Sequence, residues 1–395
     1  MGKRPITGLL AAVMLLTSCL SACGNTAVDN TAGASAGAAA SGSGKIEVTD
    51  LAGKTYSFDK PLDKVIIQWS GSGGPFMTMS ALFGKDVCSH IAAMDDGLQK
   101  YRMDMYEDFV KSVPELAKVK NIGSMDEDDF DLEGALSSGA QAAIVPIGLQ
   151  KSISESIQPK LEAAGIPVVY MDYHAETLEN HTKSVEMLGN LFGKEDRAKE
   201  LIDFYTSHVN PVYTKTQEIL KTKQRPKVYI EVGMKGPSEY GNSFSNTYSW
   251  GCLCYNVGGT SIGDGVLKEG GPLEPEYVLS SNPDKIIFTG SYWPSQADSI
   301  RLGFESTEES TNKLVAAYLA RQGWNELNAV KNGEIYVVHH GVGREIYDCA
   351  SIEALAKFLY SDEFADLNPT KTLQEFYQKF LPYEFSGVWY MKYTA

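Results

Sequence analysis

Two blocks of short apolar runs, separated by one helical segment, constrain this chain more than any other feature. The first block has runs at residues 64–69, 87–93, 142–146 and 167–172; the second has them at 227–232, 285–290 and 334–339. Each run is nearly continuous in Val, Ile and other apolar residues, the pattern of a strand covered on both faces. Longer amphipathic stretches lie between the runs, so each block reads as a sheet with helical crossovers. Between the blocks, Leu188, Leu191, Ala198, Leu201, Ile202, Tyr205 and Val209 recur at near-helical spacing. A helix over residues 195–220 would be roughly 39 Å long. Pro211 is expected to kink that helix or end it. No Gly/Ser linker interrupts the crossing, so the expectation is an α/β chain of two lobes joined by one stiff helix.

The N-terminus follows a different logic. Lys3 and Arg4 precede an apolar stretch over residues 9–16, which is too short to span a bilayer and reads as a signal segment. Leu20-Ser21-Ala22-Cys23-Gly24 follows and looks like a bacterial lipobox, with Cys23 as the lipidated residue. The alternative is ordinary secretion with an incidental Cys. Residues 24–44 are almost entirely small or polar, which cannot bury enough area to offset ordering, so they read as a tether. The expected organisation is therefore signal and lipobox 1–23, tether 24–44, first lobe 45–193, linker helix 194–222 and second lobe 223–395.

Charge and cysteine content exclude several classes. A net charge of −15 argues against nucleic acid, whose phosphates want a basic surface. Beyond Cys19 and Cys23, the chain holds Cys88, Cys252, Cys254 and Cys349, too scattered for a disulfide framework. Cys252 and Cys254 suit either a metal or redox pair or two small packed residues. No second Cys or His pair completes a zinc site, and no compact set of His and carboxylates for a bare metal is visible.

Several segments have a familiar order. Val48-Thr-Asp-Leu-Ala-Gly-Lys54 with Pro61 and Val65-Ile-Ile67 comes first, and Leu188-Gly-Asn-Leu-Phe-Gly193 precedes the crossing. Pro275-Glu276-Tyr-Val-Leu-Ser-Ser-Asn282-Pro283-Asp284-Lys-Ile-Ile287 and Lys331-Asn-Gly-Glu-Ile-Tyr336 follow in the second block. Together they resemble the helical-backbone (class III) solute-binding lipoproteins of ABC transporters for ferric siderophores, heme and cobalamin, over about residues 46–385. The resemblance implies two Rossmann-like lobes with a ligand cleft between them. It also implies an extracytoplasmic, membrane-anchored monomer that delivers a metal complex to an ABC permease and its ATPase, with no resident cofactor. A corrinoid ligand is the alternative within the same class. By motif position, Glu133 in Phe130-Asp-Leu-Glu-Gly-Ala-Leu136 and Glu276 are the implied permease-docking acids. Each could instead be an acid stabilised at a helix N-terminus.

In open α/β sheets ligands bind beyond the carboxyl ends of the strands. The residues after each run are therefore the candidate ligand contacts: Trp69, Tyr101, Arg102 and His174 in the first lobe, and Tyr240, Trp250, Trp293, His340, Arg344 and Tyr347 in the second. Aromatic faces suit planar or catecholate ligands, while arginine grips carboxylates and other oxyanions. Arg102 and Arg344 are the expected counter-charges to an anionic chelate. For heme, His340 or His174 could serve as an axial ligand. Any one aromatic here could equally be core.

One enzyme motif competes. Gly259-Thr-Ser261-Ile-Gly263 fits the nucleophile elbow of serine hydrolases, which needs a strand before the serine and a helix after it. Glycines flank it on both sides, so a loop is the expectation and no catalytic residue is assigned.

Overall fold

The computed structural model describes residues 45–395. The signal segment, Cys23 and the tether lie outside the described residues. Within the described part, two parallel sheets sit side by side. The first is fully parallel in the order Ile91–Met94, Val65–Ile67, Ala142–Pro146, Val168–Met171. The second runs Tyr390–Lys392, Ile335–His339, Lys285–Gly290, Lys227–Val232, Thr260–Ser261, with only its edge strand Tyr390–Lys392 antiparallel. Val65, Ile66, Ile67 and every residue of Ala142–Pro146 are buried, as strands with helices on both faces must be.

One expectation about elements needs correction and another is narrowed. Most of the run at 87–93 is not strand: Gly84–His90 winds into a 3-10 helix and the strand starts at Ile91. Its polar residues Lys85, Asp86 and Ser89 leave only Val87 to bury, too little for a central strand. Of the kink or end expected at Pro211, the end is not found: the crossing helix runs over Glu195–Ile219 with Pro211 inside it. Pro211 supplies no N–H, at a cost of about 3 kcal/mol. Leu201, Tyr205, Val209, Val212 and Thr216 offset that loss by burying one stripe of the helix. That stripe packs against Leu178–Phe192 and Cys349–Leu359.

The start of the crossing is well specified. Thr177 caps Leu178–Phe192 by accepting from the Asn180 N–H, and Gly193, in the left-handed region at φ 63°, ends that helix. Glu195 and Asp196 then occupy the first turn of the crossing helix, where the helix dipole favours acids. The lobes are also tied by the C-terminal segment. Tyr383 stacks on Phe109 at 3.5 Å between ring centres, and Ser80 Oγ and the Tyr383 hydroxyl are hydrogen-bonded at 3.1 Å. Phe204 of the crossing helix packs edge-on against Phe376 and Phe380 of helix Pro369–Phe380. One helix crosses between lobes covalently, and the tail returns to brace it.

Candidate functional site

The strand tips of both sheets open onto one cavity of about 500 Å³. Trp69 follows Val65–Ile67, Asp95 follows Ile91–Met94, Ser291 follows Lys285–Gly290, and His340 follows Ile335–His339; all four line the cavity. Topology alone explains this convergence, because parallel strands put their carboxyl ends on one side. Backbone strain collects here too. Trp69 (φ 56°) and Ser249 (φ 48°) hold the left-handed conformation, which non-glycine residues rarely adopt, and both line the cavity.

Two guanidinium groups reach the cavity, in different electrostatic states. Arg102 is 1% exposed; its Nη2 faces Glu345 Oε1 at 3.5 Å and its Nη1 donates to the Tyr347 hydroxyl at 3.3 Å. Glu345 also accepts from the Gly73 N–H at 3.4 Å, so this pair crosses between lobes. Burial pushes the Glu345 carboxyl up to about 8, and Arg102 pulls the other way. Arg344 has no hydrogen bond or ion pair among the described residues, and its Nε is sealed from solvent. Burial lowers its affinity for its proton, with Glu176 opposing. An unpaired, desolvated guanidinium is costly unless something arrives to pair with it.

His340 lies beside these cations. Its Nδ1 meets Thr289 Oγ1 at 2.8 Å, and burial, then Arg344 and Arg102, push its pKa down to about 3. The ring is therefore neutral at physiological pH. With Nδ1–H donating to Thr289, Nε2 keeps a lone pair, the state in which imidazole ligates a metal. Trp293 stands 5.9 Å from the His340 ring and is itself part of the wall.

Of the ten candidate contacts, Trp69, Tyr101, Arg102, Trp293, His340 and Arg344 line the cavity. The other four do not. His174 lies beneath Trp69, with ring centroids 4.8 Å apart. Tyr240 accepts from Trp324 Nε1 at 2.7 Å and lies under Arg321, away from the cleft. Trp250 is 1% exposed and packs against Gly343 in the core. Tyr347 is buried and supports Arg102 from behind. Position after a strand predicts nearness to the cleft but not which way a ring faces. Residues not anticipated are the acids Asp95, Asp96, Asp126, Glu127 and Glu269, with Met234 and Phe244 on the wall. Asp95-Asp96 directly follows a strand and could have been found by the same rule.

Three further expectations are resolved. Ser261 is on a two-residue strand rather than in a loop; its hydroxyl donates to the Phe244 carbonyl at 2.6 Å, and among the described residues no His is hydrogen-bonded to it. Cys88, Cys252, Cys254 and Cys349 are all free. A compact set of His and carboxylates does exist: Glu176, His181 and Asp348 are buried with candidate ligand atoms within 4.8 Å of one another. His181 Nδ1 is 3.3 Å from Asp348 and its Nε2 is 3.8 Å from Glu176. Burial opposes the charged ring, but Asp348 outweighs it and raises the His181 pKa. Burial also pushes the Glu176 carboxyl well above the usual carboxylate range, and the group lies outside the cavity lining. The implied docking acids, Glu133 and Glu276, are exposed in the first turns of Leu132–Leu136 and Pro275–Ser281. Among the described residues no helix is long and apolar enough to cross a membrane.

Comparison with known proteins agrees with this geometry. The family model for periplasmic binding proteins matches residues 147–340. The crystal structure of the TroA-like periplasmic binding protein FepB from Veillonella parvula superposes with a TM-score of 0.85 at 46% identity, covering 88% of this chain and 100% of that one. This chain belongs to the periplasmic binding protein family. The family's members serve ABC importers as extracytoplasmic substrate-binding components. An uncharacterized ABC transporter substrate-binding lipoprotein, YvrC of Bacillus subtilis, is 23% identical over 263 residues, 64% of this chain and 71% of that protein. The high-affinity heme uptake system protein IsdE of Staphylococcus aureus is 26% identical over 186 residues, 47% of this chain. The match spans only 56% of IsdE's own length.

Proposed function

We propose that this periplasmic binding protein captures an iron chelate or heme in the cleft and delivers it to an ABC permease. One observation carries the reading: Arg344 is a cation without a partner among the described residues, in a cavity walled by Trp69 and Trp293. A ligand with an aromatic or chelate face and one oxyanion satisfies both features. A cavity of about 500 Å³ falls in the range of small-molecule sites. With heme as the ligand, His340 would offer Nε2 as an axial donor when its Nδ1–H faces Thr289. A corrinoid is the other reading within the same cleft.

Delivery rests on two exposed acids, Glu133 and Glu276, which would meet cationic residues of the permease and orient the docked protein. Lipidation at Cys23 would hold the chain at the outer face of the membrane, with residues 24–44 as the tether. The test is a fluorescence titration of purified protein with heme, ferric siderophores and cobalamin. Trp69 and Trp293 should be quenched on binding, and heme should lose its coordinated absorption band in His340→Ala. No quenching by any of these ligands would refute the reading.

A further inference from the structure

The cleft is electrically two-faced, and that limits the charge of its ligand. Arg102 is held by Glu345 and Tyr347, so Arg344 is the one guanidinium on the cavity wall without a hydrogen bond or ion pair among the described residues. Asp96, Asp126, Glu127 and Glu269 also line the cavity, and the last three are exposed at its mouth. Against them stands Lys100, held by Asp96 at 3.0 Å, Glu127 at 2.7 Å and Asp129 at 3.2 Å, so one lysine is shared by three carboxylates. Glu269 has no ion pair among the described residues, and Asp126 receives only hydrogen bonds, from Trp69 Nε1 and Ser124 Oγ. Asp95 is spent internally on Ser70 and the Gly97 N–H. The whole chain adds a net charge of −15.

On the reading given above, we propose that the cleft selects metal chelates that are neutral or cationic overall. Such a chelate turns one oxyanion inward to Arg344 and its hydrogen-bond donors or ammonium groups outward to the acidic mouth. Hydroxamate-type ferric chelates have this polarity. Tris-catecholate chelates, with negative charge spread over their whole surface, do not. Low-dielectric walls focus the field of the mouth acids onto an entering ligand.

The test compares ferrioxamine B, ferrichrome and ferric enterobactin (cationic, neutral and triply negative) by tryptophan quenching at low and high salt. The cationic and neutral chelates should bind at least about tenfold tighter than the trianion at low salt, with the gap narrowing as salt screens the mouth. The triple variant Asp126→Asn, Glu127→Gln, Glu269→Gln alters exposed positions and should also narrow the gap. Equal or tighter binding of the trianion overturns the charge inference and leaves the transport reading standing. If no chelate binds, and heme and cobalamin also fail, the transport reading falls and takes the inference with it.

Discussion

Replacing Arg344 by Met keeps most of its length and removes its charge. Nothing among the described residues pairs with Arg344, so the substitution breaks no intramolecular ion pair or hydrogen bond. Its cost should therefore appear in the complex. A hydrogen bond to a charged group contributes about 1.5–3 kcal/mol, which corresponds to a roughly 10–150-fold rise in Kd. Thermal unfolding of the ligand-free protein should change little, since a desolvated cation is lost along with its distant attraction to Glu176. Arg344→Lys should fall between, because an ammonium restores the charge without the planar fork. Tryptophan quenching by ferrichrome or heme, with calorimetric unfolding of the free protein, separates the two effects. Unchanged affinity in Arg344→Met would refute the assignment. A large loss of stability would mean that Arg344 has a structural partner after all.

Other expectations follow from the same geometry. Glu276→Ala should leave ligand affinity intact while lowering uptake by whole cells; lost affinity would place Glu276 on the wrong surface. Ser249→Gly should stabilise the free protein by about 1 kcal/mol in thermal unfolding, because glycine carries no penalty at φ 48°. Part-buried, neutral His340 should make stability fall on acidification. Between its unfolded pKa near 6.5 and its folded value of about 3, only the unfolded chain takes up that proton. His340→Gln should therefore remove up to about 1.4 kcal/mol of destabilisation per pH unit below 6.5, measured as the difference in urea unfolding between the two proteins. Above about pH 8, where Glu345 is ionised, Glu345→Leu would leave Arg102 buried without its counter-charge and should cost about 3–5 kcal/mol in the same assay.

The strands were legible because they are buried on both faces. Residues 142–146, 227–232 and 285–290 are largely apolar runs, and they match Ala142–Pro146, Lys227–Val232 and Lys285–Gly290 residue for residue. Pro211 left open whether the helix would kink or end, and it does not end there because a buried stripe runs along the whole crossing helix. The strand-tip rule reached Trp69, Arg102, Trp293, His340 and Arg344, since chain direction in a parallel sheet fixes where loops emerge. It could not separate those from Tyr240 and Trp250, whose rings turn into the core. The pairing of Arg102 with Glu345 was also hidden, and with it the fact that, of the two arginines on the cavity wall, Arg344 is the one without a partner among the described residues. Glu176, His181 and Asp348 come from distant segments, and only folding brings them together.

The most direct test of the account locates the metal itself. Crystals of the protein grown with heme or a ferric hydroxamate chelate, measured at the iron edge, should show one anomalous peak between Trp69 and Trp293, with Arg344 contacting an oxygen of the ligand. A peak beside Glu176, His181 and Asp348, or on the outer surface with the cleft empty, would contradict it.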